Sequence, residues 1–182
     1  MAEPSQHLRM TVDEFLQWDD GTDTRYELAG GQVRAMAAPG PAHQVILGNL
    51  AREIGVRLRS RPPCHVRIEV PLQISDETLW QADAAVVCGP AIQQPAEPTL
   101  LIEVHSPSTR RIDLGDKLDD YKQLPSVQEI WMVDSARRRA QVWRRVGERW
   151  MGEDHIGRSE FRSETVGGEP FVLDVIYENS GL

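Results

Sequence analysis

Apolar side chains recur at intervals of three and four residues in one long segment. They are Leu47, Leu50, Ile54 and Leu58. Arginines occupy other faces of this segment, so the pattern predicts an amphipathic helix. Two further helices are predicted from capping signals. One begins at Thr11, which has capping-box spacing to Glu14, and the other begins at Asp113, a residue type favoured as an N-cap.

Alternation of apolar and polar positions predicts a strand from Val66 to Ile74, where Pro71 indicates an edge position or a bulge. Short strand-like runs at 25–28 and 32–36 flank the pair Gly30-Gly31. Glycine readily adopts the positive φ that tight hairpin turns require, so these runs predict a β-hairpin.

Near-continuous apolar runs at 83–87 and 100–104 predict two buried strands. Two more strands are predicted at 129–133 and 139–143. The order of elements is helix, hairpin, helix, several strands, helix and strands. It predicts a mixed α/β (α+β) fold, in which helices flank a mixed β-sheet.

The chain length of 182 residues fits a single domain, which we expect to span residues 11–182 after a flexible tail at 1–10. Cys64 and Cys88 are too far apart in sequence for a CxxC clip, and no signal peptide is evident at the start. We therefore expect reduced cysteines in a cytoplasmic protein. No apolar run approaches the length that spans a bilayer, so no membrane partner is expected.

The formal net charge of -8 limits the ways in which this chain could meet nucleic acid. Extensive charge-driven coating of DNA requires a broad basic face, so a packaging role is disfavoured. An enzyme that meets a phosphodiester at one local site through a divalent cation remains compatible with this charge. The sequence also contains no GxSxG, Walker or GxGxxG motif and no zinc-ligand spacing, which disfavours the corresponding classes.

Glu103 is an unexpected residue, because it lies inside an apolar run that predicts a buried strand. A lone ionised carboxylate there would cost several kcal/mol unless it had a partner. Asp83 precedes the other buried run. If the two strands are neighbours, both carboxylates could meet around a magnesium ion, which carboxylates, water and phosphate oxygens commonly hold. Lys117, on the following helix, could reach the same place and assist there.

Structural explanations of the same residues stay open at this point. Asp83 could cap a turn, and Glu103 could form a salt bridge with Arg52 or Arg67. Lys117 taken alone is most often a solvated residue of a helix surface.

Five motifs follow one another in a characteristic order. They are Arg25-Tyr26-Glu27-Leu28 with Gly30-Gly31, Gln81-Ala82-Asp83, the segment from Ile102 to Thr109, the segment from Asp113 to Lys117 with Tyr121, and the segment from Glu129 to Asp134. Together they resemble the Uma-type endonucleases of the PD-(D/E)XK restriction-endonuclease-like superfamily. The similarity runs from about Thr11 to Trp143, with a weaker extension to Ile176.

The resemblance implies a restriction-endonuclease-like core sheet and a Mg²⁺ site, with Mn²⁺ able to substitute. It places Asp83 and Glu103 at the family's two metal carboxylates, and Glu27 at an additional acidic position of the catalytic site. In the wider superfamily a lysine follows the second carboxylate by two positions, where this chain has His105. The lysine of the Uma-type proteins lies on the next helix, which implies that Lys117 is the catalytic lysine.

Substrate-binding candidates surround these positions. His43 lies near the start of the second helix and could approach the metal site or the scissile phosphate, with a hydrogen-bonded structural histidine as the alternative. His105 could shuttle a proton. Ser108 and Arg110 follow Glu103 closely and could grip a phosphate, or they could belong to a simple capped loop.

The expected function is therefore Mg²⁺-dependent endonuclease activity, the hydrolysis of phosphodiester bonds in DNA. The alternative is a non-catalytic nucleic-acid-binding or protein-interaction module that retains the nuclease fold. A homodimer is a further expectation, because nucleases that cut both strands often act as dimers.

Overall fold

The computed structural model describes residues 9–90, 97–107 and 110–182. The strands are β1 (Tyr26–Ala29), β2 (Gln32–Ala35), β3 (Cys64–Ser75), β4 (Thr78–Cys88), β5 (Pro98–His105), β6 (Glu129–Asp134), β7 (Arg139–Val146), β8 (Arg149–Ile156), β9 (Glu160–Phe161) and β10 (Phe171–Val172). The helices are α1 (Val12–Gln17), α2 (Pro41–Leu58), α3 (Arg110–Ile112), α4 (Leu118–Gln123) and α5 (Leu173–Ile176), with a π-helical segment (Asp113–Lys117) between α3 and α4.

The described chain divides into two compact units. The first runs to Ala38 and also contains Pro71–Gln81, and the second contains Pro39–Val70 and Ala82–Leu182. Strands β3 and β4 each begin in one unit and end in the other. The single domain expected over residues 11–182 stays a prediction.

Helix α1 of the first unit begins where the sequence predicts. The Glu14 amide donates to Thr11 Oγ1 at 3.3 Å, and the Thr11 amide donates to Glu14 Oε2 at 2.8 Å. Both hydrogen bonds of a capping box are therefore present. The start of this helix at the Thr11 cap is confirmed.

The hairpin of the first unit is also confirmed. Strands β1 and β2 pair antiparallel around Gly30 and Gly31, whose φ angles are 54° and 77°. Positive φ at both central positions is the conformation of a type I′ turn, which suits the twist of paired strands. Next to this hairpin, Arg9 forms a bridge with Gln32, and the amide of the buried Met10 donates to the Gly31 carbonyl at 2.9 Å. These two residues of the expected tail are thus held by β-type contacts, and residues 1–8 lie outside the described chain.

A mixed sheet forms the centre of the second unit. Its strands follow the order β4-β5-β6-β7-β8, and β3 also pairs with β4. The pair β5 and β6 is parallel, whereas β4 with β5, β6 with β7 and β7 with β8 are antiparallel. Helices pack beside this sheet, as the sequence predicts. The large mixed sheet with flanking helices confirms the predicted fold class.

One face of this sheet packs against α2. The buried residues of the helix are Ile46, Leu50, Ile54 and Leu58, together with Asn49. The four apolar residues join a core cluster with Val86, Ile102 and Val104 of the strands. Because side chains alternate along a strand, this arrangement directs the intervening residues of β4 and β5 to the opposite face.

The predicted cap at Asp113 is wrong. The helical turn begins at Arg110, so Asp113 is inside a continuous helical stretch and starts its π-helical segment. The amide of Leu118 donates to the Asp113 carbonyl, five residues earlier, which is the hydrogen bond that widens a helix to the π form. The Asp113 side chain is buried rather than bound to a helix N-terminus.

The expectation of reduced cysteines is also contradicted. Cys64 and Cys88 form a disulfide, although 24 residues separate them in sequence. Because β3 pairs with β4, residues remote in sequence become neighbours across two strands, which residue spacing alone does not reveal. Within the described chain, no helix combines the length and apolar character that crossing a membrane requires.

Candidate active site

Asp83 and Glu103 lie side by side on neighbouring strands. Strands β4 and β5 pair antiparallel with Ala84 opposite Ile102, and extending this register by one residue places Asp83 opposite Glu103. Directly opposite residues of an antiparallel pair point to the same face of the sheet. The two carboxylates therefore share one face, opposite to the face that packs against α2.

Asp83 has two polar contacts through the same carboxylate oxygen. Its Oδ2 accepts the Val104 amide at 2.7 Å and lies 3.1 Å from His43 Nε2. Burial raises the pKa of Asp83, but the hydrogen bond and charge of His43, the Val104 amide and the charge of Lys117 together bring it below its usual value. Asp83 is therefore held as an anion. A turn-capping role is excluded, because the residue lies within β4.

Glu103 is buried, with only 3% of its surface exposed. Its Oε1 accepts a hydrogen bond from Lys117 Nζ at 3.3 Å and another from the Tyr121 hydroxyl at 2.6 Å. Arg52, considered above as a partner of Glu103, contacts other glutamates instead. Lys117 is thus a buried partner of Glu103 and does not belong to a solvated helix surface.

A third carboxylate belongs to the same cluster. Asp113 Oδ1 lies 3.7 Å from Lys117 Nζ, and both side chains are buried. The π-helical segment carries Asp113 at its start and Lys117 at its end, and the following helix α4 carries Tyr121. We refer to Asp83, Glu103 and Asp113 as the carboxylate cluster.

The carboxylate cluster changes the ionisation of Glu103. Burial raises its pKa well above the usual value, and the charge of Lys117 opposes that increase. The negative charges of Asp83 and Asp113 raise the pKa further, whereas the Tyr121 hydrogen bond lowers it. The net result is a raised pKa, so an added positive charge near Glu103 would favour its ionised form.

Replacing Tyr121 with phenylalanine tests the contact to Glu103. The buried hydroxyl donates to a carboxylate, and such a hydrogen bond contributes about 1.5–3 kcal/mol. We expect Tyr121→Phe to lower the free energy of unfolding by about 2 kcal/mol in urea titrations. Tyr26→Phe is the matched control, because its hydroxyl donates to Asp20 at an exposed position, and about 0.5 kcal/mol or less is expected there. Equal losses in the two variants would contradict the proposed contact.

The other predicted site residues have different positions. Glu27 belongs to the first unit, where its Oε1 accepts the Gln81 amide at 2.9 Å. His105 is 3% exposed and lies opposite Asp134 in the parallel pairing of β5 with β6. Ser108 lies outside the described residues. Arg110 begins α3, and its side chain is outside the described part of the chain.

Two residues of this site have no functional role in the sequence prediction. Asp113 is predicted as a cap, and Tyr121 is named only as part of one of the five motifs. The spacing of four residues between Lys117 and Tyr121 puts them on one helix face, so this spacing was the available signal for Tyr121. Asp113 lies four residues before Lys117 and so gave the same signal, but its interpretation as a helix cap concealed it.

Asp83 and Glu103 of the carboxylate cluster supply oxygen donors of the kind that a hard divalent cation binds. Carboxylate oxygens are the ligands that Mg²⁺ and Mn²⁺ favour, and three carboxylates outnumber the one lysine at this place. Among the described residues, no group of three or more His, Cys, Asp or Glu side chains has an arrangement that could hold a metal ion. The chain would therefore contribute two carboxylates, and water or substrate oxygens would complete the coordination.

The mixed sheet and its flanking helices define a nuclease-like fold. A crystal structure of a putative nuclease belonging to DUF820 from Anabaena variabilis superposes with a TM-score of 0.75 at 16% identity, covering 92% of this chain and 97% of that chain. Residues 12–170 match the family model Uma2, described as putative restriction endonuclease. This chain belongs to the Uma2 family.

Two cyanobacterial proteins from Synechocystis sp. are similar over most of their lengths. The uncharacterized protein slr1290 is 25% identical over 176 residues, covering 93% of this chain and 92% of the relative. The uncharacterized protein sll1609 is 24% identical over 165 residues, covering 82% and 89%. The resemblance inferred from the five sequence motifs is confirmed by the family match.

Proposed function

We propose that this protein is an endonuclease that hydrolyses phosphodiester bonds of DNA with Mg²⁺, or with Mn²⁺ in its place. The observation that supports this proposal most directly is that Asp83 and Glu103 lie on one face of neighbouring strands, close enough for the charge of Asp83 to raise the pKa of Glu103. Membership of a family described as putative restriction endonucleases supports this reaction class.

Asp83 and Glu103 would hold the divalent ion, which supplies Lewis-acid polarisation of the phosphate and lowers the pKa of bound water. His43 orients the Asp83 carboxylate through its contact at 3.1 Å, and Tyr121 orients Glu103. These two residues act as positioning residues in the proposal. Preorganised carboxylates need no rearrangement when substrate binds, which is how such sites reduce the activation barrier.

Lys117 is the catalytic lysine in this proposal. Its ammonium group contacts Glu103 at 3.3 Å, so it partly compensates the negative charge of the site. A lysine at this place can also stabilise negative charge that develops on the phosphoryl group. His105, the other candidate, is buried beside β6, and this position favours Lys117. Glu27 as an additional acidic group and His105, Ser108 and Arg110 as substrate contacts stay predictions.

Asp83→Asn is the decisive variant for activity. The amide keeps the shape of the side chain but removes the negative charge that would bind the cation. We expect supercoiled plasmid to be nicked or linearised by the wild type with Mn²⁺ or Mg²⁺, and the rate to fall at least about 100-fold in Asp83→Asn. Parallel reactions with single-stranded DNA and with RNA define the substrate.

Asp119→Asn is the matched control, because this aspartate side chain is 79% exposed on α4. It should cut at the wild-type rate. Cleavage that persists in excess chelator, or in Asp83→Asn at the wild-type rate, would refute the assignment.

A second candidate is a non-catalytic module that keeps the nuclease fold and binds nucleic acid or protein. It is favoured by the contacts of Asp83, whose Oδ2 is already bound to both His43 and the Val104 amide. Titration calorimetry with Mn²⁺ separates the two candidates. The enzyme requires heat of binding that disappears in Asp83→Asn, whereas the non-catalytic module predicts no binding that depends on this residue.

A further inference from the structure

Strand β8, the second strand of the β7–β8 hairpin, is long and regular. Eight consecutive residue pairs join the two strands, from Arg139 opposite Ile156 to Val146 opposite Arg149, without a shift of register. Gly147 begins the two-residue connection with a φ of 62°, as in a type II′ turn. Strand β8 therefore has a regular backbone over its whole length, and another strand could pair with its outer edge.

The outer edge of β8 carries no other strand in the part of the chain that the structure describes. Natural sheets usually protect such an edge by charged side chains, especially lysine, or by proline, a bulge or a very short strand. Strand β8 contains neither proline nor lysine and its pairing with β7 shows no bulge, but it carries Arg149, Glu153 and Asp154, so a strand that pairs with it must match these charges. Met151 is 58% exposed and Ile156 is 65% exposed, so apolar side chains lie at this edge.

We propose that β8 pairs antiparallel with β8 of a second copy of this chain, with the two-fold axis at Met151. The pairing extends the mixed sheet across two protomers. This proposal concerns assembly and does not depend on the proposed nuclease activity.

The order of charges along β8 supports this register. With the axis at Met151, Arg149 of each copy lies opposite Glu153 of the other copy, and the two Met151 side chains meet at the centre. Opposite charges at directly paired positions stabilise an antiparallel pair, and like charges destabilise it. The two-fold operation generates two such ion pairs around one apolar contact.

Neighbouring registers are less favourable. When two identical antiparallel strands are related by a two-fold axis, directly opposite side chains point to the same face only if the axis passes through a residue. The alternative registers therefore place the axis at successive residues. An axis at Gly152 places Met151 opposite Glu153, and an axis at Glu153 places the two glutamates opposite each other. Of these three registers, only the one with its axis at Met151 pairs residues of opposite charge near the middle of β8.

Contacts within one chain leave the Glu153 carboxylate accessible to Arg149 of a second copy. Arg144 Nη1 and His155 Nε2 both approach Glu153 through its Oε2, at 2.8 Å and 3.5 Å. The side chain of Glu153 is still 53% exposed, so Oε1 can accept from Arg149 of a second copy. On the opposite face, Trp150 would lie across from Gly152, over which the Trp143 ring of the same chain already packs.

The expected association is moderate. One pair of edge strands buries less surface than a standard protein–protein interface, so a concentration-dependent equilibrium is expected instead of an obligate dimer. Sedimentation velocity of the full chain across a dilution series should therefore show monomer converting to dimer as concentration rises.

Charge reversal tests the register. Arg149→Glu and Glu153→Arg each place like charges opposite each other twice, and each should raise the dimer dissociation constant at least about tenfold. The double variant restores opposite charges and should recover most of the affinity. Arg59→Glu, a reversal at an exposed position after α2, is the matched control and should behave as the wild type.

Cross-linking locates the axis. Met151→Cys should form an intermolecular disulfide under mild oxidation, because the two copies of this residue face each other. Ile156→Cys, equally exposed but remote from its own copy, should not. A chain that stays monomeric up to its solubility limit overturns the proposal. The proposal is also overturned if neither charge reversal changes the dimer dissociation constant, or if Ile156→Cys forms the intermolecular disulfide.

Discussion

Glu103→Gln is expected to raise the thermal stability of the metal-free protein while abolishing its stabilisation by Mn²⁺. Glu103 is buried beside two other carboxylates, and its pKa is raised well above the usual value, mainly by burial. Glutamine keeps the shape and removes the charge, and Lys117 keeps Asp113 as its partner at 3.7 Å. Residues that serve a site commonly reduce stability, and we expect a gain of about 1–2 kcal/mol. This gain corresponds to roughly 2–8 °C in the thermal midpoint.

The dependence on pH follows from the direction of the pKa shift. A carboxyl group whose pKa is higher in the folded state favours folding in its protonated form. The wild type therefore loses stability as pH rises from the ordinary pKa of glutamate through the raised pKa of folded Glu103. Below the ordinary pKa the penalty is absent. The difference between Glu103→Gln and the wild type should thus be smallest in acid and largest above the raised pKa.

Differential scanning calorimetry in chelator and in Mn²⁺, at several pH values, measures both effects. Glu148→Gln, at an exposed position, is the control and should follow the wild type in every condition. If Glu103→Gln is less stable than the wild type in chelator, the ion pair with Lys117 outweighs the cost of burial, and the prediction is wrong.

Lys117→Met is expected to be the most destabilising substitution in the site. Lys117 is 4% exposed and contacts both Glu103 and Asp113. Methionine fills a similar volume but leaves two buried carboxylates without their cation, and breaking a buried pair in this way costs about 3–5 kcal/mol. Urea titrations near neutral pH measure the loss. It should become smaller in acid, where the carboxylates can be protonated.

Lys122→Met on the same helical stretch is the matched control. Lys122 contacts Asp119 at 3.9 Å and the ring of Trp143 at 3.8 Å, in a partly exposed position. Its loss should be about 1 kcal/mol or less. A Lys117→Met protein as stable as the control would show that the buried ion pair has no net effect on folding.

Local signals in the sequence were sufficient for much of the fold. The capping box at Thr11 and the two glycines at 30 and 31 act over a few residues, and each produced the predicted structure. Glu103 was conspicuous because an ionisable group in an apolar run requires an explanation. Its distance from Asp83 could be predicted only conditionally, since strand pairing is a non-local property.

The predictions that were wrong, for the two cysteines and for Asp113, also concern properties that depend on non-local structure. The disulfide between Cys64 and Cys88 depends on the pairing of two strands, which their separation in sequence conceals. Asp113 has the chemistry of a cap, but the helical stretch starts three residues earlier. Tertiary context decides where a helix begins, and hydrogen-bonding side chains are only one contribution.

Asp83 also completes the backbone of the sheet. Its Oδ2 receives the Val104 amide at 2.7 Å, beyond the last regular pair of Ala84 with Ile102. A side-chain oxygen thus substitutes for the main-chain carbonyl that a longer ladder would provide, and the amide of a nearly buried residue is satisfied. Position 83 therefore requires an acceptor of this length even in a protein without activity, and an alanine there would disturb the architecture together with the chemistry.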